Sequence, residues 1–379
     1  MSEIKIFILE DNKEQKKLYC DAIAEFCKVE KVTIIPEFSD NLEDALEKIK
    51  KGDFDAAIID LKLGGTDTDG EGNKIIREIR QNLRFPVFVM TGFLDELDAD
   101  LREENVFYKA YRNTDKDALE LLKEIKELYD TGITNILGKK GKIENILHEI
   151  FWKHIAVDIS YWKSEIKDPV ECEKTILRHI AAYLSAYLEM DEAGEFLCYN
   201  PAEVYIIPPI RKYVFTCDIV KRKADSKLFI VLTPACDLAQ RKAKEITLVE
   251  IEAILMECVL QQKRILLKPL PAGLNDEEKQ KYAERHEEAK ENLERFLTNN
   301  FSFKYHFLPP TAQFPGGFVN FQKNISLKKQ VIDSDFERVA SITDKFAKDI
   351  IARFSHYYAR QGQPELNVGE LIKKILSSS

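Results

Sequence analysis

The sequence has no long apolar run. No stretch approaches the roughly 18 to 20 consecutive apolar residues that a membrane-spanning helix needs. The chain begins Met-Ser-Glu-Ile-Lys and enters a predicted strand at once, so we expect no secretory signal. Internal repeats and low-complexity segments are also absent. These features predict a cytoplasmic protein without a membrane partner.

Paired cysteines and excess positive charge are missing too. The chain has seven cysteines, an odd number, and no two of them have CxxC spacing. This pattern favours reduced cysteines over a disulfide framework. The formal net charge is −9 and the pI is near 5.5. An acidic chain is poorly suited to non-specific binding of a polyanion, so nucleic acid is not the expected partner unless a local basic patch binds it.

Several catalytic and DNA-binding motifs are absent. We find no helix-turn-helix, no GGDEF or HD motif and no kinase or ATPase signature. Residues 138–142, Gly-Lys-Lys-Gly-Lys, are not a Walker A loop, because they lack the GxxxxGK[ST] spacing and follow no strand. His148 and His154 are six residues apart, so they lie on different helix faces and do not form an HExxH zinc pair.

Polar residues follow three apolar runs in the first third of the chain. Asp60 follows Ala-Ala-Ile-Ile, Glu10 and Asp11 follow Ile-Lys-Ile-Phe-Ile-Leu, and Thr91 follows Pro-Val-Phe-Val-Met. In an open parallel α/β sheet, ligands bind just outside the carboxyl ends of the strands, so these side chains are expected to converge. Three carboxylates and a hydroxyl suit a hard divalent cation and a transferred phosphoryl group.

Strand and helix patterns alternate over residues 1–130. Five strand patterns are each followed by a helical pattern, including a short acidic helix expected around 94–104. Five βα units of this length predict an α/β doubly wound domain with a five-stranded parallel sheet and right-handed crossovers.

These features resemble the receiver domain of bacterial response regulators, the CheY-like fold. The resemblance covers residues 1–130 and rests on the acidic pair, the aspartate, the Thr-Gly and a basic residue near the fifth strand. It implies that Asp60 is the phosphoacceptor, that Thr91 contacts the phosphoryl oxygen, and that a sensor histidine kinase or a phosphotransfer protein is the donor. The implied Mg²⁺ ligands are Glu10, Asp11, Asp60 and the backbone carbonyl of Lys62. Independently of the family, clustered carboxylates repel one another unless a cation lies among them.

The sequence departs from the family pattern at two places. The loop between Asp60 and the turn at Asp69 is longer than usual and lacks the common proline. The fifth strand has no Lys-Pro. Lys109 is the predicted phosphate-contacting cation, and Arg112 is its competitor, because its spacing to the next helix fits better. The alternative to an active receiver is a degenerate one that serves as a scaffold.

Beyond the first domain the pattern changes. Residues 131–200 are predicted to be a helical linker, and residues 201–379 an α+β output domain. Short strands separated by turn signals, one of them at 264–267, predict a small β-barrel-like sheet. A charged helix is expected to be inserted at about 275–298, and an amphipathic C-terminal helix is expected from about Asp335.

The runs 216–220 and 229–234 resemble the opening strands of SH3-like barrels of the MazF/PemK type, with Cys217 where that family has glycine. A ribonuclease of this type needs a nucleophile and a base, for which Cys236 and His306 are the candidates. A half-buried cysteine beside a turn-capping aspartate explains the same residues without catalysis. A basic groove would come from Arg211, Lys212, Lys221, Arg222 and Lys223. A solvated hairpin explains these charges equally well.

Two classes of function remain. In the first, the C-terminal region is a non-enzymatic interaction module that phosphorylation of the receiver switches, with a downstream protein partner and a homodimer as its expected assemblies. In the second, it is a nucleic-acid-acting effector, such as a MazF-like ribonuclease, which the receiver restrains. The acidic pI and the lack of a complete catalytic constellation favour the first class.

Overall fold

The chain divides into two compact units, residues 1–197 and residues 198–379. No helix in the described part of the chain is both long enough and apolar enough to cross a bilayer. The structure, a computed structural model, describes residues 3–63, 70–139, 141–190, 193–196, 198–360 and 365–377.

The first unit opens with alternating strands and helices. In chain order these are β1 (Glu3–Leu9), α1 (Lys13–Glu30), β2 (Thr33–Ser39), α2 (Leu42–Lys51), β3 (Ala56–Ile59), α3 (Glu71–Asn82), β4 (Val87–Thr91), β5 (Tyr108–Arg112) and α4 (Ala118–Tyr129). The five strands are parallel and lie in the order β2-β1-β3-β4-β5. This is the strand order of flavodoxin-like doubly wound folds, so the predicted five-stranded parallel sheet is confirmed.

Burial accounts for the short apolar strands. Every residue of β3 and β4 is buried, as expected for central strands covered by helices on both faces. Side chains on one face pack against α2 and α3, and side chains on the other face pack against α1 and α4. On β5 this alternation turns Ala110 toward the first core and Tyr111 toward the second.

One predicted helix of this unit is wrong. The segment expected to be helical around 94–104 instead forms two 3₁₀ turns, Leu94–Glu96 and Ala99–Leu101. Arg77 of α3 bonds the Asp98 carboxylate at 2.5 Å and the Asp100 carboxylate at 2.7 Å. Aspartate is a poor residue for a helix interior, and here the aspartates bond to a neighbouring element instead.

In the described residues after 130, four helices confirm the helical pattern predicted there. They are α5 (Ile133–Leu137), α6 (Lys142–Ile150), α7 (Ala156–Glu165) and α8 (Pro169–Tyr187). A π-helical turn, Phe151–Ile155, joins α6 to α7. The His154 ring stacks on Tyr183 with centroids 4.4 Å apart and contacts the Tyr187 hydroxyl at 2.9 Å. Aromatic contacts therefore connect this turn to α8.

The second unit contains an antiparallel sheet and helices. Its strands are β6 (Tyr205–Ile206), β7 (Asp218–Arg222), β8 (Leu228–Val231), β9 (Glu245–Glu252), β10 (Tyr305–Leu308), β11 (Gly317–Lys328) and β12 (Phe336–Ile342). Its helices are α9 (Ala235–Ala239), α10 (Ile254–Leu266), α11 (Asp276–Leu297), α12 (Lys329–Asp335), α13 (Asp344–Ala359) and α14 (Val368–Ser377). The strand order is β10-β11-β9-β8-β7-β12-β6.

This sheet agrees with the predicted α+β class but is not specifically a barrel. In the described strands it has two edges, β10 and β6. One face packs against α13 through Ala347 and Ile350, and the other face packs against α12 through Ile332. The charged helix predicted at about 275–298 is confirmed as α11, which begins at a capping box formed by Asn275 and Glu278.

Two predicted elements of the second unit are wrong. The strand expected at 264–267 is the end of α10, whose sequence is dominated by Leu, Met, Glu, Gln, Lys and Arg, which favour helices. The helix expected from Asp335 begins only at Asp344, because the segment before it is β12. Apolar residues recur at helical spacing in β12, but its backbone pairs with β7 and β6. A register shift between Arg338 and Ala340 interrupts the strand alternation that would have marked it as a strand.

Candidate functional site

Three carboxylates meet at the carboxyl edge of the parallel sheet. Glu10 and Asp11 follow β1, and Asp60 follows β3, which pairs directly with β1. One oxygen from each of the three lies within 4.8 Å of the others. The predicted convergence of these side chains is therefore present. It follows from the parallel pairing of β1 with β3, which brings the ends of the two strands together.

Glu10 is the most buried member of the cluster, with 4% of its surface exposed. Its carboxylate accepts a 3.0 Å hydrogen bond from the backbone N–H of Asn12. Burial, followed by the negative charges of Asp60 and Asp11, raises the pKa of Glu10 from its usual 4.5 to about 7. Glu10 is thus a carboxyl group that protonates near neutral pH when nothing positive compensates it.

Asp60 lies in a partly buried position beside Thr91. Burial raises the pKa of Asp60, although hydrogen bonds from the Thr91 hydroxyl and from the backbone N–H groups of Lys62 and Leu61 oppose that shift. The N–H of Lys62 lies 3.5 Å from the Asp60 carboxylate. Thr91 is fully buried at the end of β4, and its hydroxyl oxygen also accepts a 3.1 Å hydrogen bond from Phe93. The predicted hydroxyl is therefore in contact with the predicted phosphoacceptor.

The backbone around Asp60 lies very close to the first turn of α3. A Cβ atom on Gly72 would come within 2.6 Å of the Asp60 carbonyl oxygen and of the Leu61 Cα. Only glycine permits this approach without a shift of the backbone. Sequence reasoning did not single out Gly72. Its position soon after an acidic loop, at the start of a helix, was the only signal.

The two candidate cations of β5 have other partners. The Lys109 ammonium lies 3.3 Å from Glu124 on α4, and the Arg112 guanidinium holds both oxygens of Asp95 at 3.0 and 3.1 Å. In the sheet register Arg112 pairs with Thr91, whereas Lys109 lies three residues further from the carboxyl edge. Three residues of strand span roughly 10 Å. The sheet register therefore supports Arg112 as the phosphate-contacting cation more than it supports Lys109, the residue predicted from the sequence.

Lys116 is a further cation that sequence reasoning missed. It lies 2.5 Å from Glu124 and is more buried than Lys109, with 12% of its side chain exposed. Burial opposes the charged form of Glu124, but hydrogen bonds from Lys116, Tyr111 and Lys109 lower its pKa overall. Glu124 thus keeps a cation even if Lys109 leaves it.

The donor set of the cluster fits Mg²⁺. All three side chains offer carboxylate oxygens, the ligands that hard divalent cations prefer. Burial is the main cause of the raised pKa of Glu10, and the charges of Asp60 and Asp11 raise that pKa further; a bound cation would relieve this repulsion. Residues 64–69, which include most of the loop that was expected to be unusually long, lie outside the described residues.

Cys236 and His306 do not form a catalytic pair in the second unit. Along the sheet, His306 of β10 is in line with Leu228 of β8, and β9 and β11 lie between them. Three strand spacings amount to roughly 14 Å, and Cys236 lies eight residues beyond Leu228 along the chain.

The chemistry of His306 also argues against a role as a base. The imidazole is buried, with Nδ1 3.5 Å from Asp349, and burial lowers its pKa to about 3. A group with that pKa is a weak base at neutral pH. Cys236 is exposed, and its Sγ lies 3.8 Å from the Asp237 carboxylate.

Cys217, which stands where the MazF-type strands have glycine, is buried and has a left-handed backbone with φ of 64°. Few residues other than glycine adopt this conformation, so the backbone here has the form that a glycine would favour. This agreement concerns a single backbone position and does not extend the resemblance further.

The solved structures named below match the N-terminal third of this chain. No protein-family model matches the chain, and no curated protein matches it. Among solved structures, a CheY-like receiver domain from Methylobacillus flagellatus is 18% identical, with 34% of this chain and 99% of that chain covered and a TM-score of 0.26. The receiver domain of an HD domain-containing protein from Pseudomonas fluorescens is 16% identical, with 34% and 96% covered and a TM-score of 0.28.

A two-component response regulator from Clostridium difficile is 18% identical over 34% of this chain and 96% of its own, with a TM-score of 0.26. Likenesses at this level are too weak to assign a function. We therefore base the functional proposal on the sheet order and on the acidic cluster of this chain.

Proposed function

We propose that the first unit is a phosphorylation-controlled signalling switch, with Asp60 as the residue that accepts the phosphoryl group. The observation that carries the proposal is the cluster of Glu10, Asp11 and Asp60, with the Thr91 hydroxyl bonded to Asp60. A partly buried carboxylate cluster beside a hydroxyl donor suits phosphoryl transfer, in which the protein mainly positions groups and compensates charge.

Mg²⁺ is the cofactor of this proposal. Glu10, Asp11, Asp60 and the backbone carbonyl of Lys62 would hold it, and it would supply positive charge to the carboxylates and to the incoming phosphoryl oxygens. Groups of the protein itself position the Asp60 carboxylate. Thr91 donates a hydrogen bond at Asp60, and backbone N–H groups from Leu61 and Lys62 orient the carboxylate.

The donor in this proposal is a sensor histidine kinase or a phosphotransfer protein. An oxygen of the Asp60 carboxylate forms a bond to phosphorus as the bond from phosphorus to the donor imidazole nitrogen breaks. The product is an acyl phosphate on Asp60 and an unmodified histidine on the donor. A cation near Thr91 could then contact an oxygen of this phosphoryl group. Of the two candidates on β5, Arg112 lies nearer to Thr91 in the sheet register than Lys109 does.

Acetyl phosphate with Mg²⁺ tests the phosphoacceptor directly. Intact-mass measurement should show one added phosphoryl group on the full chain, and Asp60→Asn should abolish it. Asp21→Asn, which removes an exposed carboxylate from α1, is the matched control and should be labelled like the wild type. Labelling that persists in Asp60→Asn would refute the assignment. Absence of labelling in the wild type, together with no Mg²⁺ binding, would favour the degenerate scaffold instead.

For the second unit we propose a non-enzymatic output module with a downstream protein partner. The separation of Cys236 from His306 and the low pKa of His306 remove the support for a cysteine–histidine ribonuclease. A homodimer remains part of this proposal as a prediction. Light scattering of the full chain, with and without beryllofluoride, measures it.

A further inference from the structure

The second unit has a cavity with an unusual lining. Its volume is about 240 Å³, and it lies between the segment before β7 and the end of α9. The side chains that give it its chemistry are Arg211, Lys212, Tyr213, Asp237, Arg241 and Lys329. Four of these six are cations and one is a carboxylate, within an acidic chain.

Among the described residues, the four cations of this cavity have no carboxylate partner within 4.0 Å. The other cations of the basic segment singled out from the sequence are engaged elsewhere. Lys221 pairs with Glu337 at 3.1 Å, and Arg222 pairs with Asp225 at 2.5 Å. The cations at the cavity therefore differ from Lys221 and Arg222, whose charges are compensated by carboxylates.

An aromatic ring lies among these cations. Tyr213 is 52% exposed. The charged ends of Lys329, Lys212 and Arg241 lie 5.4, 5.6 and 5.6 Å from its ring centre, within cation–π range. A ring in this position can stack on the planar part of a ligand while the surrounding cations bind a negatively charged part of the same ligand.

Hydrogen bonds from Arg338 hold the segment that carries Tyr213. The Arg338 guanidinium donates to the backbone carbonyl of Tyr213 at 2.7 Å and to that of Arg211. Arg338 also pairs at 3.3 Å with Asp218, which is fully buried. Asp218 accepts a further hydrogen bond from Ser341 at 2.6 Å. The position of this wall of the cavity thus depends on an ion pair between the partly exposed Arg338 and the buried Asp218.

We propose that this cavity binds a nucleotide, with its phosphate on the cations and its base on Tyr213. Arginine and lysine without carboxylate partners are suited to phosphate oxygens, and an exposed tyrosine among them is suited to a base. At about 240 Å³ the cavity is smaller than most ligand pockets, which begin at about 300 Å³, so its volume argues against any ligand larger than one nucleotide. The nucleotide is either free or part of a single strand. This proposal is independent of the one for Asp60.

The experiment uses the full chain and two probes. AMP binding is measured by calorimetry, and binding of a fluorescein-labelled uridine octamer is measured by anisotropy at two salt concentrations, about 50 and 200 mM. The double variant R241E/K329E should weaken AMP at least about tenfold and lower the salt slope for the octamer by about two. Tyr213→Ala should weaken both probes, and Tyr213→Phe should not, because stacking needs only the ring.

The control makes the same charge change away from the cavity. Lys281 and Lys290 are exposed on α11 and are changed together to Glu, which should leave both affinities as in the wild type. If the octamer binds more tightly than AMP, the ligand of the cavity is a single strand. If the two affinities are equal, the ligand is a free nucleotide. No binding of either probe would overturn the proposal, as would equal losses in the cavity and control variants. Binding that Tyr213→Ala leaves unchanged, with inorganic phosphate as tight as AMP, would overturn the nucleotide assignment.

Discussion

The raised pKa of Glu10 in the acidic cluster makes the folding stability of the chain depend on pH. Its pKa is about 7 in the folded chain and near 4.5 in the unfolded chain. Between these values the folded state holds a proton that the unfolded chain has released, so stability falls as pH rises through this window. The loss is complete above about pH 7 and is on the order of 3 kcal/mol for a shift of this size. The raised pKa of Asp60 acts in the same direction.

We expect the metal-free chain to lose stability as pH rises from 4.5 to about 7. Glu10→Gln should make stability less dependent on pH in this range. Added Mg²⁺ should stabilise the wild type more at the upper end of the range, because ligands bind as carboxylates. Urea unfolding at several pH values, with Mg²⁺ or with a chelator, measures both effects. An unchanged slope in Glu10→Gln would contradict the assignment of the pKa to Glu10.

His306 contributes the opposite slope in the second unit. Its pKa is about 3 in the folded state and 6.5 when unperturbed. The unfolded state therefore binds the extra proton, and stability rises with pH up to about 6.5. The Glu10 effect must be taken from the difference between the wild type and Glu10→Gln, in which the His306 contribution cancels.

Gly72 offers a test of the packing behind Asp60. Gly72→Ala should destabilise the first unit by about 1 to 3 kcal/mol, because the new Cβ meets the backbone of Asp60 and Leu61. The gain in helix propensity, up to about 1 kcal/mol, does not offset this. Gly92→Ala is the matched control, since a Cβ there meets nothing within 4 Å. Equal unfolding midpoints for the two variants would show that the backbone of Asp60 and Leu61 shifts to accommodate the new Cβ at little energetic cost.

At the scale of single elements, β5 presents the choice between two cations. The pair of Arg112 with Asp95 is solvent-exposed, so its release costs about 1 kcal/mol or less. A charge-assisted hydrogen bond to the phosphoryl group is worth about 1.5 kcal/mol or more, roughly tenfold in affinity. Arg112→Ala should therefore weaken beryllofluoride binding by about tenfold, and Asp95→Asn, which frees Arg112, should strengthen it.

Lys109→Ala is the comparison for this prediction. Glu124 keeps Lys116 in that variant, so the structure of α4 is retained and only the reach of Lys109 toward the site is tested. If Lys109→Ala weakens beryllofluoride binding more than Arg112→Ala does, Lys109 is the phosphate-contacting cation, as expected from the sequence. Titration of both variants with beryllofluoride and Mg²⁺ measures the two losses side by side.

At the scale of the whole molecule, the proposal requires that chemistry at Asp60 changes the second unit. Charge at the sheet edge and the position of Thr91 change when the acyl phosphate forms. Such a change biases a two-state equilibrium by about 1 to 3 kcal/mol in typical switches. Hydrogen exchange on the full chain should therefore show altered protection within 198–377 when beryllofluoride and Mg²⁺ are added. Asp60→Asn is the control and should show no change, and changes confined to 3–129 in the wild type would count against coupling.

Sequence alone determined the parallel sheet of the first unit and the acidic residues at its carboxyl edge. Strands β3 and β4 are buried on both faces, so they are continuous apolar runs that end abruptly at polar residues, and parallel pairing with β1 brings the strand ends together. The residue pattern was therefore sufficient to place Glu10, Asp11, Asp60 and Thr91 at one edge of the sheet. The long charged helix α11 was also predictable, because its capping box and periodicity are local features.

Only the tertiary structure decided the rest, because the deciding contacts join residues far apart in sequence. Strand β12 has helical spacing in its apolar residues and is a strand because β7 and β6 pair with it. Lys329 and Arg241 join Tyr213 at one cavity from separate segments, while Cys236 and His306 are kept apart by two strands. Local patterns report which face of an element is buried. They do not report which other segment covers it, and that depends on sheet order, which long-range packing sets.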